Sequence, residues 1–285
     1  MKKYLLLLCT TTLLPFSLPA SQSTAQSNTV TDKVIEIQRA TLQQNTEGRG
    51  FGPQSPRDID NIAGNNTQVF SYAPGATDMN LCNIHFHKNA EHKGGEFTHY
   101  AGNGDGKGNN SGYQYTGKLT QSELTPISVS VSKQLHHQLF PGDTIEVHYV
   151  YSTAQVVPGP TLASCLNPST KNPALRVESQ VFVLVNDQSA PNFIELTKDT
   201  IEGQRPQAVN IPTNSGQPIQ YLGSTTGPAY NQQGSPFQVT WSVRPKVLKV
   251  NINTVATWLK NNQYKENHAH GVRNLITNPS LLSAY

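Results

Sequence analysis

Two histidines stand two residues apart in the run Asn83-Ile84-His85-Phe86-His87. On a β-strand, alternation puts Asn83, His85 and His87 on one face and Ile84 and Phe86 on the other. Two imidazoles so placed stand side by side, close enough to share one metal ion. A third ligand should come from a neighbouring strand. His148 is the candidate, in Thr144-Ile145-Glu146-Val147-His148-Tyr149-Val150, where Glu146, His148 and Val150 share a face. Three neutral imidazoles and one open position describe a catalytic zinc site. The plainer reading of a lone H-x-H is a surface or core pair; the second strand, with its own Glu-x-His, favours the metal.

The elements that must position these residues read as strands joined by polar loops. Only 14% of the residues are charged, and Asn, Gln, Ser, Thr, Gly and Pro are abundant. The first residues have the form of a secretory signal: Lys2 and Lys3, an apolar run from Tyr4 to Leu14, then small-residue cleavage sites at Leu18-Pro19-Ala20 or Ser23-Thr24-Ala25. That run is too short and too threonine-rich to span a membrane, and Cys9 within it has no assigned role. We expect residues 1–25 to be removed, and residues 26–285 to form one domain exported to the periplasm or beyond. Losing Lys2 and Lys3 takes the formal net charge from +3 to +1, which gives no support to a nucleic-acid partner. The two remaining cysteines, Cys82 and Cys165, suit one disulfide in an exported protein. Zinc ligation by Cys82 is the rival, but strict alternation sets Cys82 on the face opposite His85 and His87.

Along the chain, residues 21–45 are polar and read as a loose N-terminal arm. Strands are expected over 67–72, 126–131, 177–185 and 237–243, and a short helix over 253–261. The glycine-rich stretch 93–118 lacks both the calcium-loop and the phosphate-loop pattern and reads as a surface loop. His136 and His137 read as surface histidines. So do His99, His268 and His270, with proton relay as their alternative. The segment from 267 to 285 is expected to end on the surface.

Several short motifs, in order, resemble the carbonic anhydrases, specifically the bacterial delta class and through it the alpha class. Gln54-Ser55-Pro56-Arg57-Asp58-Ile59 is similar to the Q-S-P-x-D-I entry of alpha enzymes, and Asn83-Ile84-His85-Phe86-His87 to Q-F-H-F-H. Glu91-His92 resembles their E-H pair, and Glu146-Val147-His148-Tyr149-Val150 their E-L-H-L-V. Tyr221-Leu222-Gly223-Ser224-Thr225-Thr226-Gly227-Pro228 resembles Y-P-G-S-L-T-T-P, and Val239-Thr240-Trp241 resembles V-T-W. Asn83 departs from a glutamine. The stretch between His85 and His148 is longer than in alpha enzymes, because of the glycine-rich insertion, and that between Gln54 and His85 is shorter. The shortening removes the region holding the alpha-class shuttle histidine, so no shuttle is carried over.

The resemblance implies a mainly β fold, a single alpha-carbonic-anhydrase-like domain with a central, mostly antiparallel sheet and a few short helices. It implies reversible hydration of CO2 to bicarbonate by a zinc hydroxide held on His85, His87 and His148; carbonic anhydrases are themselves the reference case for three histidines acidifying a bound water. Asn83 and Glu146 would bond the outer ring nitrogens of the ligands. Thr226, or Thr225 if the turn is gapped, would accept a hydrogen bond from the hydroxide and pass its own proton to Glu91. His92 would brace Tyr221 or Glu146. Val150, Val239 and Trp241 would line an apolar CO2 pocket, with core packing the alternative for Val239 and Trp241. The partner is the small molecule alone, with a homo-oligomer left open. The competing functions are a zinc hydrolase using Glu91 as base, disfavoured by the lack of H-E-x-x-H, and a non-catalytic binding module, disfavoured by the intact histidines.

Overall fold

A nine-residue strand carrying Glu146 and His148 is buried along its whole length, and the rest of the fold is arranged to make that tolerable. The computed structural model describes residues 29–284 except 133, 135, 136, 226–228 and 230. The expected signal peptide lies outside the described residues. Ten strands are present among the described residues: β1 (Asn80–Lys88), β2 (His99–Tyr100), β3 (Tyr113–Gln114), β4 (Thr144–Ser152), β5 (Leu175–Val185), β6 (Asp199–Glu202), β7 (Arg205–Ala208), β8 (Ile219–Ser224), β9 (Gln238–Val243) and β10 (Leu248–Asn251). The α-helices are α1 (Asp32–Thr46), α2 (Phe193–Leu196) and α3 (Ile252–Trp258).

Six strands form one mixed sheet in the order β1-β4-β5-β9-β8, with β10 on the far half of the same β5 edge that β9 occupies. The β1–β4, β4–β5 and β8–β9 pairs are antiparallel, while β9 and β10 run parallel to β5. The mainly β architecture is thus present, with a sheet whose antiparallel majority is narrow.

Alternation divides the core by sheet face. Ile84, Phe86, Val147, Tyr149, Phe182 and Leu184 join Val255 and Trp258 of α3 in one cluster. Val150, Val177, Val181, Val239, Trp241 and Tyr221 form the other. The β1–β4 register sets His85 opposite His148 and His87 opposite Glu146, so all four share the second face.

Alternation breaks at one place. A register shift between Leu81 and Asn83 leaves Cys82 unpaired in the ladder. Leu81 therefore packs with the α3 side and Cys82 with the side of Val150 and Trp241. This corrects the expectation that Cys82 faces away from the histidines; an extra residue in one strand reverses parity beyond it. Cys82 is bonded to Cys165.

Four expectations change with tertiary context. The arm before residue 46 is α1 from Asp32 onward: Ile35, Leu42 and Thr46 are buried, and Leu42 packs on Ile276, Leu281 and Leu282. Two apolar residues seven apart suffice there because the C-terminal segment supplies the rest of the core. Residues 67–72 are not a strand; Val69 is 85% exposed, and the next backbone N–H, of Ala73, donates to the Thr240 hydroxyl instead of a ladder partner. Residues 126–131 are irregular, with only Val131 deeply buried. The segment after 267 does not simply end on the surface. Ala269, Val272, Ile276, Leu281 and Leu282 are buried, and His270 lies along β1, its N–H donating to Phe86 O and its carbonyl accepting from Lys88 N. It thereby covers an otherwise open sheet edge.

The glycine-rich stretch serves as packing between these two additions. Gly104 O accepts from Val30 N and Gly106 O from the Gln38 side chain, while Gly108 O accepts from Val272 N.

Candidate metal centre

His85, His87 and His148 each present one ring nitrogen within 4.8 Å of the others. Which nitrogen follows from the opposite one. Asn83 donates its amide to Gly159 O at 2.9 Å, so its Oδ1 is the acceptor for His85 Nδ1 at 2.6 Å. The Gly271 carbonyl, which can only accept, takes His87 Nδ1–H at 2.7 Å. Glu146 Oε1 takes His148 Nε2–H at 2.9 Å. The tautomers so assigned leave Nε2 of His85, Nε2 of His87 and Nδ1 of His148 to converge. His87 Nε2 is buried and has no hydrogen-bond partner. A buried imidazole lone pair without a donor is costly unless something electrophilic meets it, and this donor set fits a borderline metal such as zinc.

Burial and the neighbouring rings favour the neutral form of His85 and His87. Burial, then the neighbouring His148 and His87, hold His85 well below the usual histidine range. Burial pulls His87 down to about 4, against the opposing pull of Glu91. A neutral imidazole is the form that binds a metal.

Glu146 is fully buried and fully occupied. It accepts from Glu91 N at 2.6 Å, His92 N at 2.9 Å, His92 Nδ1 at 2.5 Å and Ser179 Oγ at 2.5 Å, besides His148. Burial alone would raise its pKa; His92 and the bonds from His148 hold it well below the carboxylate range. A second possible grouping, His92, Glu146 and His148, is therefore spent. Both nitrogens of His92 are bonded, Nδ1 to Glu146 and Nε2 to Tyr221 OH at 2.5 Å, and Tyr221 OH meets Ser55 Oγ at 2.7 Å.

Glu91 lies beside His87 and His148. Its Oε2 is 3.9 Å from both His87 Nε2 and His148 Nε2, and its Oε1 is 2.8 Å from Arg57 Nε. Burial would raise its pKa, but Arg57, then His87 and His148, bring it to about 2. Trp241 packs edge-on against His148 and His92, with ring centroids at 5.2 and 4.9 Å, and stacks on Tyr221. Val150 and Val239 are buried in the same cluster. Thr225 is buried, its Oγ1 3.1 Å from Ser235 Oγ. Thr226 lies outside the described residues.

Sequence reasoning missed Gly271 and the role of Arg57, and read His270 as a surface histidine with proton relay as its alternative. A carbonyl leaves no trace in a residue type. Arg57 was hidden at the variable position of its motif, where it takes a left-handed φ of 61° and is completely buried. His270 meets His85 at 5.4 Å and His87 at 5.8 Å between ring centroids, and its Nε2 is held by Glu266 at 2.7 Å.

A model of the delta carbonic anhydrases matches residues 76–254, which span both histidine strands and the Val239-Thr240-Trp241 strand. The chain belongs to the delta carbonic anhydrase family. Among solved structures it aligns with an alpha-carbonic anhydrase of Photobacterium profundum at 17% identity, over 80% of this chain and 88% of that one, with a TM-score of 0.27. It aligns with the alpha-carbonic anhydrase of Thermovibrio ammonificans in complex with the inhibitor sulfanilamide at 16% identity, over 78% and 84%, with a TM-score of 0.26. For a fungal alpha-carbonic anhydrase from Aspergillus oryzae the figures are 17%, 81%, 84% and 0.27. At these TM-scores the alignments carry no argument, and the family assignment rests on the matched model. No curated protein matches.

Proposed function

We propose that residues 26–285 form a zinc carbonic anhydrase acting on CO2 and bicarbonate, exported by a signal in residues 1–25 to the periplasm or the cell exterior. The observation that carries the zinc assignment is the convergence of three imidazole nitrogens whose opposite nitrogens are each fixed by a separate acceptor. His85 Nε2, His87 Nε2 and His148 Nδ1 would hold the ion. When bound it would supply Lewis acidity, making water acidic enough to become a nucleophile near neutral pH.

The remaining steps belong to the chain. Asn83, Gly271 and Glu146 hold the rings at fixed angles, and Glu146, as an anion, strengthens the donor power of His148. Glu91, kept ionised beside Arg57, would accept a hydrogen bond from the Thr226 hydroxyl, leaving the threonine oxygen to accept a hydrogen bond from the nucleophile and orient it. Ser55, Tyr221 and His92 buttress Glu146. Val150, Val239 and Trp241 supply the apolar wall against which CO2 can rest without competing for hydrogen bonds. No helix among the described residues is long and apolar enough to cross a membrane.

The test is stopped-flow CO2 hydration with metal content determined on the same sample. Hydration that disappears with chelator and returns with zinc supports the reading. One zinc per chain with hydration no faster than buffer would overturn it.

A further inference from the structure

A file of histidines leads from the candidate centre to solvent; the sequence offers proton relay as the alternative for His270 and His268, and reads His137 as a surface residue. His270 touches His85. His268 stacks on His270 with centroids 5.4 Å apart and planes at 30°. His137, from a separate segment, meets His268 edge-on at 4.7 Å. Each ring is fixed by something other than its neighbours in the file. His270 Nε2 is held by Glu266, His137 Nδ1 faces Ala269 O at 3.2 Å, and His268 Nδ1 lies 2.5 Å from Asn267 Oδ1 and 3.3 Å from the Gln134 amide. With its Nδ1–H given to Asn267, His268 keeps Nε2 as a base. The titratable groups facing it are His270 and Glu266 from its own segment and His137 from across.

We propose that His268, with His137 beside it, takes up the proton released by each hydration cycle and hands it to solvent or buffer. The inference rests on the carbonic anhydrase reading given above. CO2 and water give bicarbonate and one proton; that proton binds His268 Nε2, and leaves from the same atom or through His137 to an external base. Nothing is oxidised or reduced. His270, committed to Glu266, forms the wall of the path and is not asked to titrate. Partial burial, then His270 and His137, lower the affinity of His268 for its proton, and Glu266 opposes them. Release to buffer is thereby eased, as a relay that must empty once per turnover requires.

The test uses the zinc-loaded full mature chain. In His268→Gln, and in His137→Gln/His268→Gln, kcat in weak buffer should fall about tenfold while kcat/KM stays unchanged, because proton export follows the chemistry that kcat/KM reports. Added imidazole should restore kcat. A readout independent of turnover is the NMR titration of the His268 ring: it should titrate within the pH range where the enzyme turns over, and shift in His137→Gln. Three results would each overturn the relay alone: unchanged kcat in the double variant, a parallel loss of kcat/KM, or a His268 ring that does not titrate in that range. A wild-type protein that binds zinc and hydrates no CO2 overturns the functional reading and the relay with it.

Discussion

Arg57 Nε lies 2.8 Å from Glu91 Oε1, and both side chains are almost entirely removed from solvent. A guanidinium and a carboxylate cost several kcal/mol each to bury and recover that only together. Arg57→Met leaves Glu91 as an unpaired buried anion beside His87 and His148, so it should destabilise the protein by about 3–5 kcal/mol. Glu91→Gln in the same chain should return a substantial part. Urea unfolding of the single and double variants measures this. A double variant no more stable than Arg57→Met would show that Glu91 is not what Arg57 supports.

Gly271 acts through its carbonyl and through its lack of a side chain. A Cβ there would stand 2.8 Å from the carbonyl carbon of Gly108, in a stretch of backbone that has its own hydrogen bonds to keep. Gly271→Ala should push the carbonyl off His87 Nδ1 and weaken zinc binding by roughly 10–100-fold, the usual effect of losing a partner of a ligand. Competition with a chromophoric chelator reads the affinity. Wild-type affinity in this variant would mean that the glycine-rich stretch yields freely and does not position His87.

The metal-free protein should weaken as pH falls. The folded pKa of His87 is about 4, below its ordinary 6.5. A depressed histidine means that the unfolded chain binds the proton more readily. Stability is then complete above 6.5 and is lost progressively from there down to about 4, by on the order of 3 kcal/mol from this residue. Glu91, at about 2 against 4.5, extends the loss below pH 4.5. Urea midpoints of chelator-treated protein between pH 8 and 4 test this, and a flat profile would refute it.

The two adjacent threonines, Thr225 and Thr226, should separate in their effects. Thr225 spends its hydroxyl on Ser235 and its N–H on Phe237 O, both in the segment that leads into β9. Thr225→Val should therefore cost stability of about 1 kcal/mol, whereas Thr226→Val should lower CO2 hydration by about 100-fold with stability little changed. The reverse pattern would move the orienting hydroxyl to Thr225.

The histidine strands were legible because their determinants are local: alternation fixes which side chains share a face, and β1 and β4 keep that alternation from Asn83 to Lys88. Val177 to Val185 was legible for the same reason, as an apolar run inside β5. What could not be read depends on distant chain. Two apolar residues do not announce α1 until the C-terminal segment is seen to cover them. Cys82 defeats parity because a bulge has no residue signature of its own. Arg57 looks like a solvated charge until the fold seals it beside Glu91, and the Gly271 carbonyl belongs to the backbone.

The disulfide connects to the candidate centre through three hydrogen bonds. Cys82 O accepts from Gly159 N at 3.0 Å, Gly159 O accepts from Asn83 Nδ2, and Asn83 Oδ1 holds His85. Cys165 closes a span of 83 residues onto Cys82, and so fixes the loop carrying Gly159 against β1. Cys82→Ala/Cys165→Ala should cost about 2–4 kcal/mol of stability, as loss of a bridge closing a long loop does. It should also weaken zinc binding, but by less than Asn83→Ala, because the loop keeps its hydrogen bonds while losing its tether. Urea unfolding and chelator competition on both variants decide the point. If the double alanine variant loses stability yet binds zinc as tightly as wild type, while Asn83→Ala binds it weakly, then Asn83 holds His85 without help from the Gly159 loop.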